Sequence, residues 1–108
     1  MRRNAFIALA LWLSLSVSVD RASAHPGYCE IEIDNRGDQD AKVYVTFDDG
    51  SATHFTIHPH ESPHHVSLFY YGHCHPEAHV RVELKNREIV YDSPTRVDST
   101  VRIVPHAK

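Results

Sequence analysis

The sequence has a single methionine and a single tryptophan, and both of them, Met1 and Trp12, lie within its first 24 residues. The remainder has no thioether of the kind that favours cuprous ions. It also lacks the core tryptophan of a true immunoglobulin domain. No stretch shows a sustained helical period, and no serine stands in the strand-turn-helix context of a nucleophile elbow. These absences argue against a helical fold and against a serine hydrolase.

The first 24 residues have the order of a secretory signal. Two arginines precede an apolar stretch from Ala5 to about Val19, and the small residues 22–24 close the segment. This order predicts a signal peptide that is cleaved after Ala24. The apolar stretch has about 15 residues, fewer than the roughly 20 that a membrane-spanning helix needs. We therefore expect export to the periplasm or the extracellular space, and a mature chain, residues 25–108, that is one soluble domain without a membrane span.

The predicted mature chain has few basic residues. Eight lysines and arginines stand against thirteen aspartates and glutamates, which makes the formal charge −5 when the histidines are neutral. A nucleic-acid partner would require a basic face. The charge balance therefore argues against nucleic acid and suits a protein that binds cations.

The two cysteines, Cys29 and Cys74, predict one disulfide, because export leads to an oxidising compartment. A crosslink that closes a loop of about 46 residues stabilises a small domain by roughly 3–4 kcal/mol in the chain-entropy model. A second interpretation keeps Cys74 reduced. In that case His73, Cys74 and His75 form a mixed ligand set for zinc or copper.

Short runs of alternating apolar and polar residues cover the mature chain. "CEIEID" places Ile31 and Ile33 on one face, and the same period returns in "KVYVTF" and "HVRVELK". "DDG" at 48–50 predicts a hairpin turn, and "SPT" at 93–95 predicts a break. About seven such strands predict an all-β fold: a small antiparallel β-sandwich of immunoglobulin-like size with one disulfide.

All ten histidines follow residue 24. Histidine is the commonest ligand for zinc and divalent copper, and a histidine-rich composition points to metal binding. His58 and His60 form a His-x-His pair, and His73 and His75 form another. If the chain is extended, such a pair places both rings on one side. Around the first pair, Pro59 and Pro63 favour an extended or turn conformation over a helix. The alternative is a solvated polar loop. The candidate metal ligands are His25, His58, His60, His64, His65, His73, His75 and His79.

Cleavage after Ala24 would make His25 the amino terminus. Its α-amine and ring can chelate divalent copper, and the predicted disulfide would bring it within reach of His73 or His75. In geometry such a site resembles the histidine brace of lytic polysaccharide monooxygenases and of some periplasmic copper-binding proteins. The resemblance covers His25 and a second histidine only. It implies copper binding, and a mature chain of 84 residues offers little room for a polysaccharide surface.

The sequence therefore predicts an exported, histidine-rich protein that binds divalent copper or zinc and serves in metal homeostasis, delivery or resistance, with a protein partner for metal transfer. We do not expect an enzyme. The alternative is a secreted interaction or inhibitor module without metal, whose histidines charge near their ordinary pKa of about 6.5. A third hypothesis is a copper oxidase that uses the His25 brace.

Overall fold

The computed structural model describes residues 15–20 and 27–105. Within these residues the chain forms ten strands and no helix. The strands are β1 Leu15–Asp20, β2 Glu30–Asn35, β3 Ala41–Thr46, β4 Ala52–Ile57, β5 His64–Ser67, β6 Phe69–Tyr70, β7 His73–Cys74, β8 Glu77–Leu84, β9 Ile89–Arg96 and β10 Thr100–Pro105. The all-β prediction is confirmed.

Two four-stranded sheets enclose one core, as in a sandwich. Their strand orders are β1-β10-β2-β5 and β4-β3-β8-β9, and β6 and β7 form a separate hairpin. Most neighbours are antiparallel, but β10 runs parallel to β2, with Val101 opposite Ile33. The alternation of apolar residues defines the faces of a strand and not its direction, so the sequence does not predict this parallel pair.

The core follows the period-two pattern of the strands. Both sheets contribute apolar side chains to the core, and the following are 1% exposed or less: Ile31, Ile33, Val43, Val45, Val80, Val82, Val101 and Ile103. Full burial of one aliphatic side chain contributes about 1.5–3 kcal/mol relative to exposure. Removal of these side chains from water is therefore the main force that holds the sheets together.

The break predicted at Ser93-Pro94-Thr95 is wrong. Strand β9 continues from Ile89 to Arg96 through Pro94. It lies at the edge of its sheet, next to β8 alone, and an edge strand tolerates a residue that has no amide hydrogen. The chain turns later, at Asp98, whose φ is 67°.

Strand β1 lies within the segment that is predicted to be a signal peptide. It pairs antiparallel with β10 from Leu15 opposite Pro105 to Asp20 opposite Thr100, and Val17 packs against the core. Cleavage after Ala24, which stays a prediction, would remove this strand and make β10 an edge. Among the described residues no helix is long and apolar enough to cross a membrane.

Candidate functional site

The β6–β7 hairpin presents aromatic rings at a tight turn. Tyr71 and Gly72 connect the two strands, and both have positive φ, 55° and 82°. A two-residue type I′ turn requires positive φ at both positions. Glycine adopts this conformation freely, but a bulky side chain in the left-handed region costs on the order of 1–3 kcal/mol. The surroundings of Tyr71 must therefore hold it there.

A disulfide fixes the base of this hairpin. Cys29 and Cys74 are bonded, with Cα atoms 5.8 Å apart, so the predicted crosslink is confirmed and the thiolate ligand set is excluded. The amide of Leu68 donates to the carbonyl of Cys29 at 2.8 Å, and the amide of His75 donates to the carbonyl of Leu68 at 2.9 Å. The two cysteines are separated by 45 positions in the sequence, and closing such a loop corresponds to about 4 kcal/mol in the chain-entropy model.

His75 lies at the centre of a polar network behind the hairpin. Its Nδ1 is 2.8 Å from Asp48 Oδ2, and its Nε2 is 3.0 Å from the carbonyl oxygen of Tyr70. The Tyr70 hydroxyl donates to Asp48 Oδ1 at 2.5 Å. Rings stack on both sides of this imidazole: Tyr70 with centroids 3.7 Å apart and His73 with centroids 4.1 Å apart.

The two hydrogen-bonding partners of the His75 ring, Asp48 and the carbonyl of Tyr70, favour its protonated form. Both are acceptors, a carboxylate and a carbonyl, so both ring nitrogens must carry hydrogen for the two bonds to form. The hydrogen bond to Asp48 raises the pKa of His75 above its ordinary value, although burial opposes this. In this arrangement neither nitrogen offers a lone pair to a metal.

Asp48 and Asp49 belong to the predicted turn at 48–50, which joins β3 to β4. The amide of Gly50 donates to the carbonyl of Phe47 at 3.0 Å, which confirms the turn. Hydrogen bonds from Tyr70 and then His75 lower the pKa of Asp48. Asp49 accepts from the amide of Ser51 and from the hydroxyl of Tyr71. Sequence reasoning treated this pair as a turn only and missed its contacts with the hairpin.

The loop after β4 does not bring its histidines together. His58 Nδ1 is 2.9 Å from Asp40 Oδ1, and this hydrogen bond raises the pKa of His58. His60 has a φ of 61° and lies in a turn, so of the two predicted conformations, extended or turn, the chain between His58 and His60 adopts the turn. Glu61 accepts from the amide of His58 at 2.7 Å and lies 3.2 Å from His64 Nε2, and these two contacts lower its pKa.

His64 and His65 are neighbours in β5 and therefore point to opposite faces. His64 stacks on Phe55, with centroids 4.8 Å apart. His65 Nδ1 is 2.5 Å from Glu30 Oε2 on the adjacent strand β2. Their rings cannot converge on a single ion.

His79 in β8 bonds through Nε2 to Asp92 in the adjacent strand β9. Five of the predicted ligands thus each contact a different carboxylate: His58, His64, His65, His75 and His79. Within residues 15–20 and 27–105, no three histidine, cysteine, aspartate or glutamate side chains are placed to hold a metal ion. His25 lies outside the described residues.

Comparisons with protein-family models, curated proteins and solved structures found no match.

Proposed function

We propose that the protein is an exported interaction domain whose surface charge responds to pH through paired histidines. The observation that carries the proposal is the pairing of five histidines with five different carboxylates. Histidine is the side chain that ordinarily changes charge between about pH 5 and 8. Each pair is an ion pair when the ring is protonated and a lone carboxylate charge when it is not. A partner would meet a different surface in each state.

The size of the charge change supports this proposal. Protonation of the five paired histidines would take the formal charge of the predicted mature chain from −5 to 0. Charge complementarity contributes more to the rate and the specificity of association than to affinity. Loss of the net negative charge would therefore change which partners approach the surface.

The disulfide supports the exported location. Crosslinks of this kind persist in oxidising compartments and are rare in the reducing cytosol. The predicted signal segment leads to the same compartment, periplasmic or extracellular.

The exported, disulfide-bonded protein can be immobilised to test the proposal. It is exposed to exported proteins of the same organism at about pH 5.5 and about pH 7.5, on either side of the ordinary histidine pKa, with a metal chelator in both buffers. We expect at least one protein to bind at one pH and to be released at the other. The same bound set at both pH values, or binding that the chelator abolishes, would contradict the proposal.

Matched variants separate the paired histidines from the unpaired ones. His58→Gln combined with His75→Gln removes the two rings whose pKa values are raised. We therefore expect the amount of partner bound to differ less between the two pH values. His60→Gln is the control, since the described part of the chain provides no hydrogen-bond partner for its ring. It should leave the pH dependence unchanged.

Metal delivery is the second candidate function. Two observations favour it. The first is the number of histidines, ten. The second is the position of His73, which is exposed, directly follows the hairpin turn and precedes Cys74 of the disulfide. His25, the predicted amino terminus, is four residues from Cys29, a distance of at most about 14 Å along an extended chain, and the crosslink holds Cys29 beside the strand that carries His73. A copper or zinc site would therefore need His25 together with His73.

A further inference from the structure

The hairpin turn exposes an aromatic surface beside two carboxylates. Tyr71 is 78% exposed and Phe69 is 59% exposed, values far from those of core side chains. Together with Phe47 and Tyr70 they line an open groove of about 330 Å³ that Asp49 borders. We call these four rings, with Asp48 and Asp49, the aromatic hairpin surface. None of the residues that line its groove is a lysine or an arginine.

This surface is fixed before any partner arrives. The Tyr71 hydroxyl donates to Asp49 Oδ2 at 3.1 Å, and Tyr70 is held by Asp48, by stacking on His75 and by an edge contact with Phe47. The disulfide secures the strand opposite Phe69. Rigid, exposed aromatic side chains lose little freedom on binding, and this pre-organisation is typical of recognition surfaces.

The charges of the surface select the class of ligand. The face of an aromatic ring carries negative electrostatic potential and attracts cations. Both tyrosines donate their hydroxyl hydrogens to carboxylates, which makes the rings richer in electrons. Asp49 adds a negative charge at the edge of the groove, and Asp48 adds a second carboxylate whose charge is paired with the His75 ring. Hydrogen bonds lower the pKa values of both carboxyls. Rings and carboxylates together favour a planar cation.

We propose that the aromatic hairpin surface binds an arginine side chain on an extended segment of a partner protein. The guanidinium stacks on the exposed ring of Tyr71 and points its N–H donors at Asp49, while an apolar neighbour in the segment covers Phe69. Arginine suits this role better than lysine because its charged group is planar and weakly hydrated. This inference deepens the proposed function by naming the partner's chemistry, and it rests on that function only in treating the domain as an interaction module.

The test uses two blocked pentapeptides and the disulfide-bonded protein with a chelator present. One peptide is Gly-Leu-Arg-Leu-Gly, and the other carries neutral citrulline in place of arginine. Amide resonances of the protein are followed by NMR during each titration. We expect saturable shifts centred on Phe69, Tyr71 and Gly72 with the arginine peptide, and an affinity lower by about five-fold or more with the citrulline peptide.

Three variants make the result specific. Tyr71→Asn removes the ring while keeping a residue that tolerates positive φ, and Asp49→Asn removes the charge while keeping an oxygen for Ser51. Each of these two substitutions should lower the affinity for the arginine peptide by about five-fold. Ile89→Ala removes an apolar side chain that is 51% exposed on β9 and should change nothing.

Several outcomes would overturn the inference. They are equal affinity for the two peptides, shifts that map elsewhere, and binding that survives in both hairpin variants. A fourth is binding of a chitin oligosaccharide at these rings without binding of the arginine peptide, which would identify a sugar platform instead. None of these four outcomes affects the result of the binding experiment at about pH 5.5 and about pH 7.5. A failure of this inference is therefore distinct from a failure of the proposed function.

Discussion

The imidazole of His75 lies parallel to the ring of Tyr70, with centroids 3.7 Å apart and an angle of 6° between the planes. Asp48 joins the two side chains, since one carboxylate oxygen accepts from the Tyr70 hydroxyl and the other faces His75 Nδ1. Burial and this hydrogen bond raise the pKa of Tyr70 to about 12. Asp48 therefore connects the aromatic hairpin surface to one of the five histidine pairs, that of His75.

Asp48→Asn tests this connection directly. The change keeps the size of the side chain and removes the charge that stabilises the imidazolium. We expect the pKa of His75 to fall towards its ordinary value of 6.5, and that of Tyr70 to fall from about 12 towards 10. Titration of the histidine ring protons by NMR measures the first shift, and ultraviolet titration measures the second. Asp92→Asn, beside His79, is the control and should leave both values unchanged.

The raised and lowered pKa values together predict how stability depends on pH. The pKa values of His58 and His75 are raised in the folded state, so their contribution is fully present below 6.5 and is lost as the pH rises through the raised values. Those of Asp48 and Glu61 are lowered from 3.8 and 4.5, so their contribution is present above these values and is lost as the pH falls through the lowered ones. Stability should peak between about pH 4.5 and 6.5.

Urea unfolding of the disulfide-bonded protein across about pH 3–9 measures this profile. A midpoint that keeps rising from pH 6.5 to 8 would show that the histidine pairs do not stabilise the fold. In His58→Gln combined with His75→Gln, the decline above about pH 6.5 should flatten, because the groups that lose their proton are gone.

Side-chain alternation was enough to predict the core and the fold class. Ile31 and Ile33 in β2, and Val80 and Val82 in β8, were expected on inward faces, and all four are 1% exposed or less. Period-two burial is a local property of a strand, so it can be read without knowing the neighbours. The disulfide was predictable for a comparable reason, since two cysteines in a chain that is predicted to be exported allow one pairing.

Pairing partners and edges could not be predicted in the same way. Pro94 looks like a break in sequence but lies within β9, because whether a strand tolerates proline depends on whether it is at an edge. The parallel alignment of β10 with β2 joins segments near opposite ends of the described chain. Such contacts depend on how the sheets assemble, which local patterns do not contain.

The candidate site shows the same limit. His65 meets Glu30, and His75 meets Asp48, at separations of 35 and 27 residues. Spacing along the sequence grouped the histidines with one another, whereas the fold paired them with distant carboxylates. A positive φ at Tyr71 was also beyond the sequence pattern, because a bulky residue is a poor indicator of a type I′ turn.

Asn35 is a buried polar residue on which two loops depend. Its side-chain nitrogen donates to the carbonyls of Gln39 and Ile57, at 2.9 and 2.8 Å, and its oxygen accepts from the amide of Gly37 at 2.9 Å. The bond to Ile57 links β2 in one sheet to the end of β4 in the other. Asn35→Ala leaves these groups without a partner inside the protein, so we expect the free energy of unfolding to fall by about 2–4 kcal/mol.

Asn35→Asp separates hydrogen bonding from size in the same experiment. The carboxylate can accept from Gly37 but cannot donate to the carbonyls, and it would be charged at a site that is 0% exposed. We expect it to destabilise at least as much as alanine does near neutral pH. Asn86→Ala is the control: its oxygen accepts a single bond from the amide of Glu88 at an exposed turn. A loss at position 35 no larger than at position 86 would contradict the bridging role.

The metal hypothesis now depends on His25. Within the described residues five histidines are divided among separate carboxylates, and no three potential ligands converge. We therefore expect His58→Gln combined with His64→Gln to leave copper affinity unchanged. Binding should instead require a free α-amine on His25 and the ring of His73, which follows the hairpin turn. Copper(II) titration of the exported form, with its mass showing a start at His25, measures this affinity. We expect one extra glycine before His25, or His73→Gln, to weaken binding. If the protein with the extra glycine still bound copper with submicromolar affinity, the site would lie among the described histidines. That result would contradict their arrangement as carboxylate pairs.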